Sequence, residues 1–392
     1  MKVVYLISSP LSKRDFTRFG VQAWVARGCS VKVFDLSKYL APNFFEYLDG
    51  HHSSVQFKGL KVLDDKKSIC ASLEAVSNGS IFIDLLSNGT YFEYKLRKIA
   101  KRKGITVRLN VNTIPSVKLR YSSLFYKIFN RLKRPQKIGS YLWRIFAGHR
   151  LLSPDYWVVS GTASQEALQW SNSAIIKAHN LDYDFLLNSV VSVSNVTNVG
   201  LLFLDGDEVY HPDYVILDVP VYATEEKYFA VMDRGLLEIG AALNCQATVA
   251  AHPRSNYDET PSRYSLPILK GQTFELVRHA TVVVSHASTA LLWAVAMHKP
   301  IILVTTDEIE SSSNPVLRDT IVSFSHELGK TIFNLNHMPV DYDWMQELQV
   351  DRKKYDACIE KYVKQQGSAE KPFWDIVIDH MEENLHTKTR IR

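Results

Sequence analysis

Along nearly its whole length the chain alternates short β-branched runs with longer helical patterns, and that alternation leaves few architectures open. It begins with KVVYLIS (2–8), a helical stretch FTRFGVQAWVARG (16–28) and SVKVFDLS (30–37), a βαβ opening in which Gly28 is placed to end the helix. Further strands are expected at SIFIDLL (80–86), ITVRLNV (105–111), YWVVSG (156–161) and AIIKAHN (174–180). The Ser/Val/Asn-rich NSVVSVSNVTN (188–198) reads as a linker. Beyond it the pattern restarts with VGLLFLD (199–205), ATVAAHP (247–253), ATVVVSH (280–286) and PIILVTTD (300–307), with helical stretches such as EEKYFAVMDRGLLEIGAALN and STALLWAVAMH between them. Strands this apolar, separated by helices, build parallel sheets covered on both faces. A chain of 392 residues also exceeds what one hydrophobic core usually serves. The expectation is an α/β protein of two Rossmann-like domains facing each other across a cleft. Residues 1–187 form the first, residues 198–372 the second, and 373–392 a C-terminal helix with a basic tail.

Several classes are disfavoured. The four cysteines, Cys29, Cys70, Cys245 and Cys358, show neither CxxC spacing nor paired His ligands, so no zinc site or disulfide framework is expected and a reducing cytoplasm suffices. The first residues hold too few apolar side chains for a signal peptide, and no run is long and apolar enough to span a bilayer. The net charge of +5 hides an asymmetry: between Lys95 and Pro154 there are 16 Lys or Arg and no Asp or Glu. Within this block, residues 117–150 interleave cations with Tyr, Phe, Leu and Trp, a composition suited to an anionic membrane surface. Nucleic acid is not expected as a partner, because the segment matches no nucleic-acid motif and the rest of the chain is net acidic. GxxxxGK[ST], GxGxxG after the first strand, GxSxG and HExxH are all absent.

In open α/β sheets ligands bind beyond the carboxyl ends of the strands, and the polar residues of the second half gather at those positions. VVVSHAST places Ser285, His286, Ser288 and Thr289 where a strand gives way to a helix, a ready anion site in which Ser288 or Thr289 equally serves as a helix cap. His252, Pro253 and Arg254 follow another strand, and the histidine and guanidinium are suited to a phosphate. Being one strand-helix unit apart, these two sites are expected side by side. LDGDE offers Asp205, Asp207 and Glu208 as carboxylates able to act as a general base on an acceptor hydroxyl or to stabilise a cationic sugar-like transition state. Gly271 precedes Thr273, read as a cap and nucleotide contact, while Asp307 and Glu308 suit a ribose diol. In the first half, Ser9, Arg14, Asp15 and Arg18 follow the first strand and Asp182 lies near the domain junction, giving candidates for the acceptor side.

With AHPRSNY and SHAST in place, the chain resembles the two-domain GT-B glycosyltransferases of bacterial surface polysaccharide synthesis, closest to the group that moves Kdo, sialic acid or related nonulosonic acids from CMP donors. The resemblance implies that His252 contacts the CMP phosphate and assists the leaving group, with Ser285, Ser288 and Thr289 on the same phosphate. It implies a catalytic carboxylate among Asp205, Asp207 and Asp218, since LDGDE departs from the family's acidic pattern. It further implies catalysis without a metal or other cofactor, a lipid-linked or polysaccharide acceptor, and an enzyme peripheral to the inner face of the cell membrane. A UDP-sugar transferase or epimerase on the same scaffold is the alternative. A noncatalytic protein that binds an anionic glycan or lipid headgroup is the alternative of another class.

Overall fold

The computed structural model describes residues 1–49, 55–87, 90–116, 153–188 and 199–390, apart from 212–213, 215–218, 256 and 258–262. The basic segment 117–150, most of the linker and Asp218 therefore lie outside the described residues. The chain divides into two compact units, one from the described residues within Met1–Thr113, Leu119–Asp184 and Lys364–Arg392, the other from those within Ile114–Lys118 and Phe185–Val363.

The first unit carries seven parallel strands: β1 Lys2–Ile7, β2 Ser30–Asp35, β3 Leu60–Val62, β4 Ser80–Leu85, β5 Gly104–Asn110, β6 Tyr156–Val159 and β7 Ala174–Lys177. Their order is β3-β2-β1-β4-β5-β6-β7. The apolar side chains of β1 point alternately to two cores, Val3, Tyr5 and Ile7 to one, Val4 and Leu6 to the other. That is why KVVYLI is apolar without a break. The helix Phe373–Arg390 belongs to this unit and not to a separate tail: Phe373, Trp374, Val377, Ile378 and Met381 pack with Tyr5 and Trp24. Gly20 is needed at that junction. It has φ 70°, and a Cβ there would stand 2.2 Å from the Trp374 ring, whose indole N–H donates to the Arg18 carbonyl at 2.9 Å.

The second unit holds β8 Val199–Leu204, β9 Ala247–Ala251, β10 Ile268–Lys270, β11 Ala280–Ser285, β12 Ile301–Thr305 and β13 Ile332–Asn334, all parallel, in the order β10-β9-β8-β11-β12-β13. Counted within the unit this is 3-2-1-4-5-6, the order of dinucleotide-binding sheets, with its switch point between β8 and β11. Leu204 pairs with Ala250 on one side and Ser285 on the other. The expected adjacency of His252 and the Ser285–Thr289 row is thereby corrected: their strands flank β8, which carries Asp205, and do not touch. Sequence order misled because β10, a three-residue edge strand without any period, intervenes between β9 and β11. No helix among the described residues is long and apolar enough to cross a membrane.

Candidate functional site

The carboxyl edge of the second sheet assembles from its central strand outward. Past Leu204 the chain turns through Asp205, Gly206, Asp207 and Glu208; Asp207 adopts φ 57°, a left-handed conformation that Asp tolerates. All three acids are buried, each about 5 % exposed or less. The Asp205 carboxylate is a hub. It accepts from the Tyr257 hydroxyl at 3.0 Å, from Tyr264 at 3.5 Å and from the backbone N–H groups of Asp207 and His252. It thus ties the β8 and β9 loops together.

Burial dominates the electrostatics. It pushes Asp205 up to about 7, with Asp207 adding to the rise and the hydrogen bonds opposing it. Glu208 rises to about 8 through burial and then the charges of Asp205 and Asp207. Asp207 rises only to about 6, because Arg263 and Lys270 offset part of its desolvation. Among the described residues no hydrogen bond reaches the Asp207 side chain. Of the three carboxyls it is the one ionised near neutral pH with its oxygens uncommitted. Burial and then the acid cluster hold the Tyr257 phenol well above its usual range, and burial with the neighbouring Tyr228 and Asp205 does the same for Tyr264, so both stay donors. Arg263 is fixed by Glu225 at 2.7 Å and by the Tyr210 ring, 4.3 Å from its guanidinium.

On β9's side, the Arg254 backbone N–H donates to His252 Nδ1 at 3.2 Å, and the His211 ring lies 4.8 Å away. A neutral His252 therefore carries its proton on Nε2. Pro253 is exposed and Arg254 half-buried.

On the β11 side the predicted row splits. Ser285 is fully buried, and its Oγ has no partner among the described residues. His286 turns into the core: its Nδ1–H donates to the Val304 carbonyl at 2.7 Å and its Nε2 accepts from the Tyr228 hydroxyl at 2.9 Å. Burial lowers its pKa to about 4, so the ring is neutral and both nitrogens are occupied. The helix starts only at Leu291 and runs to Ala296, so Ser288 and the exposed Thr289 sit in the turn before it. Ser288 Oγ accepts from the Ala290 N–H at 3.2 Å.

Other predicted residues are engaged locally. Glu308 accepts from the Thr224 hydroxyl at 2.8 Å and its N–H at 3.2 Å, on a cleft also lined by Lys227, Tyr228, Thr306 and Asn336. Gly271 has φ 80°, but the cap position of the following helix is Gln272, and Thr273 is its first helical residue. In the first unit, Asp15 accepts from the Ser12 hydroxyl at 2.8 Å, which also caps the helix Lys13–Arg18. Arg18 and Asp182 pair with each other at 3.2 Å. Ser9 is half-buried. Arg14 lies in that same helix. Among the described residues no three metal-ligating side chains are grouped to hold an ion.

Sequence reasoning passed over Tyr257, Tyr264, Arg263 and Lys270. Tyr257 closes the AHPRSNY stretch itself, but nothing local says that its hydroxyl reaches back to the preceding strand's aspartate.

No protein-family model matches the chain, and the search of curated proteins found no match either. Solved structures do match. The wall teichoic acid polymerase TagF is 11% identical with a TM-score of 0.50, covering 98% of this chain and 90% of its own. The UDP-GlcNAc 2-epimerase of Methanocaldococcus jannaschii is 13% identical at a TM-score of 0.47, covering 97% and 100%. MurG of Acinetobacter baumannii is 8% identical at 0.45, covering 98% and 100%. At such identities a likeness speaks of fold alone, and the polymerase carries it. With its two parallel sheets of seven and six strands, the chain has an α/β fold of the GT-B type.

Proposed function

We propose that this protein is a glycosyltransferase that moves a sugar, a nonulosonic or Kdo-like acid, from a CMP-linked donor to a surface-polysaccharide or lipid-linked glycan, working peripherally at the cytoplasmic face of the membrane. One observation carries the reading. At the switch point of the second sheet, three buried carboxyls of raised pKa stand at the end of β8, with His252 and Arg254 on the neighbouring strand end.

In this reading the donor phosphate lies against His252 and Arg254 on one side of β8 and the hydroxyls of Ser285, Ser288 and Thr289 on the other. Glu308 and Thr273 serve the nucleoside. Asp207 takes the proton of the acceptor hydroxyl as the new C–O bond forms and the bond to the nucleotide phosphate breaks. The departing phosphate is stabilised by the Arg254 guanidinium and by a hydrogen bond donated from His252 Nε2–H, while Asp207 keeps the proton it has taken. Asp205, with both oxygens engaged, holds the two loops in register and keeps Asp207 and His252 at their posts.

A thermal-shift series with CMP, CDP, UDP, GDP and ADP tests the donor: CMP should raise the melting temperature, by about 2.7 kcal/mol of stabilisation at a hundredfold excess over Kd. A shift with UDP alone reassigns the donor, and no shift with any nucleotide points to a noncatalytic glycan-binding protein. His252→Ala should abolish transfer with the melting temperature kept; near-normal turnover in that variant refutes the assignment.

A further inference from the structure

The helix Tyr91–Lys103 divides cleanly into two faces. Leu96 and Ala100 are buried on the first sheet, and Glu93 and Arg97 turn inward to a capping box and to Asp84. At 100° per residue, Tyr91, Tyr94, Lys95, Lys98, Lys101 and Arg102 fall within one stripe of about 120° on the other side. Tyr91 is 54% exposed, and all four cations are exposed. The two tyrosine rings stack at 5.9 Å and 20°, with Lys95 5.9 Å from the centre of one ring and Lys98 5.9 Å from the other. Arg102 is partly offset by Glu74, and Lys101 donates to the Ser153 carbonyl; the stripe itself contains no acid.

We infer that this stripe is a docking surface for an anionic phospholipid bilayer. The helix is seated along its length on the sheet, so it presents a low row about 17 Å long and not a protruding helix fit to enter a nucleic-acid groove. A flat row of lysine ammoniums matches a plane of headgroup phosphates, and the tyrosine pair supplies the amphipathic rings that settle at headgroup depth. Charge complementarity extends through the sequence, because no Asp or Glu occurs from Lys95 to Pro154. The inference rests on the peripheral-membrane part of the proposed function, for which it names the surface, and not on sugar transfer, so failure of vesicle binding and failure of nucleotide binding are read separately.

The test is co-sedimentation of the full-length protein with vesicles of phosphatidylcholine containing about 30 % phosphatidylglycerol, against phosphatidylcholine alone. The wild type should bind the anionic vesicles, release them in high salt and ignore the neutral ones. Lys95→Glu/Lys98→Glu should bind at least about thirtyfold more weakly, each cation being worth about fivefold near such a surface. Tyr91→Ser/Tyr94→Ser should bind severalfold more weakly, with the circular dichroism of both variants unchanged. Wild-type binding by the lysine variant, no binding by the wild type, or stronger binding to an oligonucleotide than to the vesicles would overturn the inference.

Discussion

Replacing Glu208 by Gln isolates the electrostatic cost of the acid cluster. In the folded chain Glu208 keeps its proton up to a pKa of about 8, against 4.5 when exposed, first because it is buried and then because Asp205 and Asp207 are close. As pH rises past 4.5 the unfolded chain releases this proton while the folded chain retains it, so the folded state binds more protons and stability falls until pH passes about 8. At about 1.36 kcal/mol per unit, the full cost above pH 8 has a ceiling of about 5 kcal/mol. The amide of the variant cannot ionise and escapes this cost. The stability of Glu208→Gln relative to wild type should therefore climb with pH, most steeply between about pH 5 and 8, whatever constant offset the amide introduces. Differential scanning calorimetry at half-unit pH steps measures the difference and separates the units if they melt in turn. Parallel curves for the two proteins from about pH 5 to 8.5 would refute the reasoning, since they would mean that Glu208 ionises in the folded chain without penalty.

Three further outcomes are expected. Asp207→Asn should lower transfer by about 10²–10⁴-fold, the range of a positioned general base, while nucleotide-dependent shifts in melting temperature persist; retention of activity would remove Asp207 from the chemistry. Tyr257→Phe deletes a hydrogen bond that favours the ionised form of Asp205, so the Asp205 pKa should move further above about 7 and stability should fall by about 1 kcal/mol at neutral pH, read by carboxyl ¹³C titration and melting. Gly20→Ala forces a Cβ into the Trp374 ring at a left-handed backbone position and should cost the first unit about 2–4 kcal/mol, seen in its calorimetric transition.

The long central strands were legible because each is buried on both faces and so reads as a nearly continuous apolar run: VGLLFL, ATVVVS and IILVT needed no context. The edge strands Leu60–Val62, Ile268–Lys270 and Ile332–Asn334 were not, since three residues hold no period to detect. Which strands neighbour each other is decided by crossovers over the sheet, and that information is nonlocal. The same holds within the site. The polar string Ser285–Thr289 looks uniform as letters, yet β11 drives His286 beneath the sheet edge against Tyr228 while Thr289 stays in water. Asp205 was visible as a strand-end acid, but its role as a knot between two loops depends on tyrosines contributed from 52 and 59 residues further along.

The return of Lys364–Arg392 to the first unit makes the second unit an insertion within it. Phe373, Trp374, Val377, Ile378 and Met381 complete a core begun by Val3, Tyr5 and Ile7. On the ribosome, the amino-terminal sheet must then wait, with one face uncovered, until the inserted unit has been made and the closing helix has emerged. Clipping the chain after Val363 should therefore uncover the core face made first in synthesis, while the inserted unit, whose own core runs from Leu201 to Trp344, should survive expression alone.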